Sequence, residues 1–433
     1  MLVSGTVVAD SETILDDGAV VTVGGRIEFV GERATAVERY PDHRHRRVDI
    51  VVPGLVGGHV HSVQSLGRGI ADDEPLLTWL SEHVLPMEAA LDAESTYVAA
   101  MLGYLECLAG GVTTVVDHLS VNHAERAFEA AGEVGIRGLL GKVLMDRGAP
   151  AGLREDADVG LAESERLIRA YHGAFDDRIR YAVTPRFAVS CTEECLRGVR
   201  ELADDYEGVR IHTHASENRE EIAAVEERTG MRNVRWLDEV GLTGPDVTLA
   251  HCVWTDERER AILADTDTRV THCPSANMKL ASGVAPVPDY LDRGITVALG
   301  NDGPPCNNTL DPFTEMRQAA LLGKVDRLDA TALPAETVFE MATANGATAA
   351  GFDRIGALRE GYRADVVGVS TETMRATPVH DPLSHLVFAA HGDDVVFTMV
   401  DGDVVYDGGE FLAVDATAIR GTATDLARRF SPE

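Results

Sequence analysis

DIVVPGLVGGHVH, residues 49–61, is an apolar, β-branched run that stops on two imidazoles, His59 and His61. Seven runs of the same kind follow it: VTTVVDHL (112–119), IRGLLGKVLMD (136–146), IRYAVTPRF (179–187), VRIHTHASE (209–217), VTLAHCVW (247–254), RVTHCP (269–274) and ITVALGND (295–302). Near-continuous apolar runs are what parallel strands buried on both faces require. Amphipathic segments such as EECLRGVRELADDY (193–206) and VPDYLDRG (287–294) lie between them, so strands and helices alternate. Eight β-then-α units predict an α/β fold closed as a (β/α)8 TIM-like barrel rather than an open sheet.

The two ends of the chain read differently. MLVSGTVVAD (1–10) and GAVVTVGGRIEFVGE (18–32) are short strands punctuated by glycine turns, and the pattern returns in GALREGYRADVVGVS (356–370) and VVFTMVDGDVVYDGG (395–409). Residues 1–52 and 356–412 are therefore expected to build one small β-sandwich, with the barrel over 53–355 and a helical tail over 413–433.

Charge excludes several classes of function. Lys+Arg number 39 against 71 Asp+Glu, a net charge of −32, and lysine occurs only at Lys142, Lys279 and Lys324. Such a chain is repelled by nucleic-acid phosphates and by anionic membranes, so neither is expected as a partner. No run of about 18 uncharged apolar residues suggests a membrane span, and the N-terminus lacks a signal-peptide pattern, which points to the cytoplasm. Six cysteines without a CxxC pair are expected to be buried, reduced thiols. The acidic, lysine-poor balance resembles proteins of organisms that keep molar salt in the cytosol, as halophilic archaea do. It predicts stability that rises with KCl, because salt screens the self-repulsion.

Ionisable residues collect at the ends of the apolar runs: His59, His61, Asp117, His118, Lys142, Asp146, Arg186, His214, Glu217, His251, His272 and Asp302. In a closed barrel these C-terminal ends converge on one mouth, where active sites of this architecture lie. Alternation puts His59 and His61 on one side of their strand, close enough to share an ion. His212, His214, His251, His272 and Asp302 are the further ligand candidates. Imidazole with carboxylate suits one Zn2+ or Fe2+ ion, and three His with one Asp leave a position for water.

PGLVGGHVH (53–61), His214-Ala-Ser-Glu217, LAHCVW around His251, HCPSANMKLASGVAPV (272–287) and LGNDGPPCNN (299–308) together resemble the amidohydrolase superfamily. The branch is that of cytosine-, guanine- and adenosine-type deaminases and chlorohydrolases. The resemblance implies a distorted barrel with one divalent metal per subunit, zinc before iron, held by His59, His61, His214 and Asp302. Arg186 stands where two-metal relatives carry a carboxylated lysine, which favours one ion. The resemblance further implies that Asp302 takes a proton from the attacking water, that Glu217 protonates a ring nitrogen, and that His251 orients the nucleophile. His212 falls on a variable position inside the barrel. His272 is expected behind the site or against substrate.

The substrate reading also rests on resemblance. DDEPLLTWLSEHVLPMEAAL (72–91), NMKLASGVAPVPDYL (277–291), MATANGATAAGF (341–352) and HDPLSHLVFAAHGDDV (380–395) look like enzymes that deaminate 5′-modified adenosines, in which Glu88 would bind the ribose hydroxyls. GKVLMDRGAP (141–150), AVTPRFAVSCT (182–192) and HASEN (214–218) are similar to guanine deaminases, in which Arg186 and Gln64 would contact the base. Lys142 matches a position that holds the amino-acid tail of S-adenosylhomocysteine in relatives. Gln64, TPRF and PCNN in one chain favour a purine nucleoside deaminase, with a homo-oligomer compatible. Guanine or free-base deaminases and triazine amino- or chlorohydrolases are the alternatives. A cyclic-amide hydrolase or an inactive relative stands further off.

Overall fold

The computed structural model, which describes residues 1–430, splits the run at 49–61 in two. His45–Pro53 pairs in parallel with Leu2–Val8 in a sheet made from the chain ends, whereas Leu55–Val60 is the first barrel strand. Gly54 makes the crossing, and a Cβ there would lie 2.0 Å from Thr113 Oγ1, so no larger residue fits.

The barrel strands are β1 (Leu55–Val60), β2 (Val112–His118), β3 (Arg137–Gly141), β4 (Ile179–Pro185), β5 (Arg210–Ala215), β6 (Val247–His251), β7 (Arg269–His272) and β8 (Val297–Leu299). Each pairs in parallel with the next, as the eight sequence runs require. Every residue of β1, β2 and β6 is buried, which is why these strands read as unbroken apolar runs. The seam between β8 and β1 is the thinnest join. It closes through a bridge between Val60 and Asp302, with the Asp302 N–H donating to the His59 carbonyl at 3.0 Å. The ring is thus completed at its mouth, on the loop that carries Asp302.

Helices such as Ala93–Ala109, Ala124–Val134 and Glu193–Asp204 pack outside the strands. The first begins where the Asp92 carboxylate accepts from Ser95 N at 2.8 Å and the Ser95 hydroxyl accepts from Asp92 N, a reciprocal cap. Their inward faces join the strands in one large core containing Tyr104, Phe128, Tyr181, Leu249 and Phe313.

The chain-end strands form one eight-stranded sheet, which runs from Glu410–Phe411 through Val366–Val369 and His45–Pro53 to Arg26–Glu32. It curls so that Arg26 bridges Arg363, over a small core of its own that includes Val20, Ile27, Val51 and Phe397. Arg137, at the start of β3, ties this sheet to the barrel through Asp365 at 3.0 Å and Asp401 at 2.8 Å. The expected terminal helix spans Ala416–Ala427 and packs on Ala93–Ala109, while residues 431–433 of that tail lie outside the described residues. Among the described residues no helix is long and apolar enough to cross a membrane.

Candidate metal centre and active site

Three strand ends turn through strained backbone. Ser216 (φ +53°), His251 (+72°), Cys252 (+47°) and Asp302 (+64°) occupy the left-handed region although none is glycine. Each costs about 1–3 kcal/mol and persists where surrounding contacts fix it, a pattern that clusters at functional sites. The turn after Asp302 is close-packed as well: a Cβ on Gly303 would sit 2.0 Å from Gln64 Oε1.

At the mouth, one nitrogen from each of His59, His61 and His214 and one oxygen of Asp302 lie within 4.8 Å of one another. His61 Nε2 and His214 Nε2 face each other at 3.1 Å, and Asp302 Oδ1 is 3.4 Å from both His59 Nε2 and His61 Nε2. Ligands about 2.0–2.2 Å from a shared tetrahedral ion stand roughly this far apart. Proton placement points the same way. His61 Nδ1 donates to the His118 carbonyl at 2.7 Å and His214 Nδ1 to the Arg186 carbonyl at 2.6 Å. In a neutral ring a proton on Nδ1 leaves Nε2 as a bare acceptor. Two acceptors aimed at each other at 3.1 Å need a cation between them, and the buried His59 Nε2 has no partner among the described residues. The residues present fit a divalent ion.

Glu217 and His251 stand beside this set. His251 Nδ1 bonds Asn277 Oδ1 at 2.9 Å, and its Nε2 lies 3.8 Å from Glu217 Oε2 and 3.9 Å from Asp302 Oδ2. Burial opposes charge on His251, but Glu217 and Asp302 outweigh it and raise its pKa. Burial pushes Glu217 up to about 7, helped by Asp302 and Glu221 and opposed by His251. The Ser282 hydroxyl donates to Glu217 Oε1 at 3.2 Å, and the Glu217 N–H is held by Glu221 Oε2 at 2.7 Å. For Asp302 burial works upward, yet the surrounding imidazoles hold its carboxyl well below the usual range. Glu217 is thus poised to carry a proton, while Asp302 is held as a carboxylate.

These groups line a cavity at the barrel mouth. His61, Arg186, His214, Glu217, Glu221, His251 and Asp302 make its polar wall, and Leu76, Leu77, Trp79, Leu80 and Phe187 make its apolar one. The apolar wall was missed as a functional element. Its signal was the clustering of Leu76, Leu77, Trp79 and Leu80 in the acidic stretch after β1, which reads equally well as ordinary helix core.

The expected substrate-binding residues lie at different depths around this cavity. Glu88 was expected on ribose hydroxyls, but it is fully buried, is not among the cavity-lining residues and accepts from Arg186 at 2.7 Å and from Gln64 at 2.7 Å. Gln64 is likewise buried behind the wall, so of these three residues Arg186 reaches the cavity. Lys142 turns away from it, donating to Glu155 and to the Val143 carbonyl. His272 is buried outside the lining, with Nδ1 unpartnered among the described residues and a pKa pressed by burial to about 3. Asp117 accepts from Tyr104 and Ser62 N, and His118 packs edge-on against His214. Lys279 reaches Asp72 and the Pro305 carbonyl, across the stretch that carries the apolar wall.

A parallel barrel with three histidines and an aspartate at its mouth defines a metal-dependent hydrolase architecture. The amidohydrolase family model matches residues 50–405, and the chain belongs to that family. A 5′-deoxyadenosine deaminase of Methanopyrus kandleri is 37% identical over 433 residues, covering 99% of each chain. A 5-methylthioadenosine/S-adenosylhomocysteine deaminase of Haloarcula marismortui is 41% identical over 380 residues, covering 87% of this chain and 86% of its own. The crystal structure of an adenosine deaminase from Xanthomonas campestris with bound zinc superposes with a TM-score of 0.92 at 33% identity, covering 99% of this chain and 98% of that one.

Proposed function

We propose that this chain is a hydrolytic deaminase of 6-aminopurine nucleosides, converting 5′-deoxyadenosine, 5′-methylthioadenosine, S-adenosylhomocysteine or adenosine to the inosine analogue and ammonia. The observation that carries the chemistry is the placement of Glu217 and Asp302 on one cavity wall, 3.8 and 3.9 Å from His251 Nε2, with burial raising the Glu217 carboxyl to about 7. The similarity to deaminases of 5′-modified adenosines over nearly the whole chain supports the substrate class.

When bound at His59, His61, His214 and Asp302, a divalent ion, for which zinc is our assignment, lowers the pKa of water and so supplies a nucleophile at neutral pH. Asp302 accepts the proton that the attacking water gives up. Glu217 delivers its proton to the purine nitrogen beside C6, which lets C6 accept the new C–O bond. His251, with Nδ1 on Asn277, directs Nε2 between the two carboxylates and stabilises the charge that develops there. Asp302 then passes its proton to the amino group, the C6–N bond breaks and ammonia leaves, while the hydroxyl on C6 returns its proton to Glu217 and becomes the carbonyl. The apolar wall excludes bulk water from these transfers.

Arg186 on the cavity wall favours one second reading, a guanine-type deaminase in which the guanidinium contacts the base. An ammonia-release assay in molar KCl decides between them, using 5′-deoxyadenosine, methylthioadenosine, S-adenosylhomocysteine, adenosine, guanine, cytosine and a chlorotriazine. We expect the highest kcat/KM with an adenosine derivative. A preference for guanine installs the second reading, and no ammonia from any substrate by metal-loaded protein overturns both.

A further inference from the structure

His212 was expected to fill the barrel interior, and it is not one of the four grouped ligands. Its contacts give it a more specific task. His212 Nδ1 lies 3.0 Å from the Thr248 carbonyl, and its Nε2 lies 2.7 Å from His59 Nδ1. A carbonyl oxygen only accepts, so the Nδ1 proton of His212 is committed to Thr248. In the neutral ring this leaves His212 Nε2 as an acceptor, and the short contact makes His59 Nδ1 the donor. His59 must then present an unprotonated Nε2, which is the buried atom left without a partner and facing Asp302. Reversing the contact would put a proton on His59 Nε2, where an ion has to bind.

The other two histidine ligands achieve the same state differently. His61 and His214 donate Nδ1 to main-chain carbonyls of His118 and Arg186, which no substitution removes. His59 alone among the three depends on a side chain. Its support is a relay of Thr248, His212 and His59 that runs from β6 through β5 to β1.

We propose that His212 is a positioning residue for the metal centre, acting as the acceptor that fixes the tautomer and ring orientation of His59. This goes beyond the deaminase reading and does not depend on the substrate. Outer partners of metal-binding histidines typically change metal affinity about 10- to 100-fold when removed.

The test uses two variants of the full chain that differ in which ring nitrogen they mimic. His212→Gln keeps an acceptor near the Nε2 position, whereas His212→Asn keeps a group near Nδ1, for Thr248, and drops the acceptor facing His59. Zinc affinity is measured on metal-stripped protein by competition with a chromogenic chelator, and the melting temperature of the stripped protein monitors folding. We expect His212→Asn to bind zinc about 10- to 100-fold more weakly than wild type, and His212→Gln to remain within about threefold. Equal zinc affinity in the two variants, whether both weakened or both intact, overturns the proposal, because a space-filling role does not distinguish them by acceptor position. If His212→Asn does not fold, His212→Gln still decides: more than about tenfold loss of zinc affinity in that folded variant overturns the proposal. The readout needs no substrate, so the proposal and the deaminase assignment fail separately.

Discussion

Two buried arginine–carboxylate clusters stand at opposite ends of the barrel, and they serve different ends with the same chemistry. At the closed end, Arg137 precedes the body of β3, is fully buried and is enclosed by Asp365, Asp401 and the ring of Phe352. At the mouth, Arg186 follows β4 and is gripped by Glu88, which also accepts from Gln64. Arg137 has carboxylates of the chain-end sheet around it, so its charge is spent on joining the sheet to the barrel. Arg186 has its carboxylate behind it and a cavity in front, so its charge is aimed. Burial and pairing therefore do not mark function. What lies on the unpaired side of the guanidinium does.

The contrast breaks hardest at the mouth itself. Glu217→Gln removes the proton donor without changing shape and should lower kcat by about 10²- to 10⁴-fold at an unchanged melting temperature. In wild type, kcat/KM should fall as pH rises through about 7, because the raised carboxyl is lost as a donor there. Steady-state rates across pH check both, and a Glu217→Gln enzyme with wild-type turnover would remove Glu217 from the mechanism.

Arg137→Met should do the opposite. It leaves Asp365 buried with its charge uncompensated, so stability should drop by about 3–5 kcal/mol, read by urea unfolding, while kcat/KM of the folded protein stays unchanged. Loss of activity without loss of stability would erase the distinction between the two ends.

Glu88→Gln sharpens the comparison. Each charge-assisted bond is worth about 1.5–3 kcal/mol, so kcat/KM should fall by about 10- to 100-fold. Because Glu88 lies behind Arg186, the loss should be similar with 5′-deoxyadenosine and with adenine. A loss confined to the nucleoside would return Glu88 to the ribose.

The smallest effect per residue is expected at the surface. Pairs such as Arg33–Asp17 and Arg293–Glu257 are exposed and weak, and the net charge of −32 is screened over about 3 Å at 1 M salt. The melting temperature should rise between low and molar KCl, and a flat or falling trend in calorimetry would contradict the salt-adapted reading of the composition.

How much of this was legible beforehand follows from the range of the forces involved. The eight strands could be read off because burial on both faces demands apolar residues along one short segment. His59 and His61 could be placed together because alternation is a property of the backbone within three residues. The convergence of His214, Glu217, His251 and Asp302 also followed, once a barrel was assumed, since parallel strands bring their C-terminal ends to one side. The partners across the fold were not legible. Glu88 meets Arg186 across 98 residues of chain and His212 meets His59 across 153, and no local spacing encodes either contact. Glu88 in isolation reads as a helix carboxylate free to bind a ligand, and Lys142 as an ammonium whose carboxylate partner, Glu155, local spacing does not name. Which charge is neutralised, and which faces the cavity, was decided by closure of the barrel, because only there does burial force each polar group to find a partner.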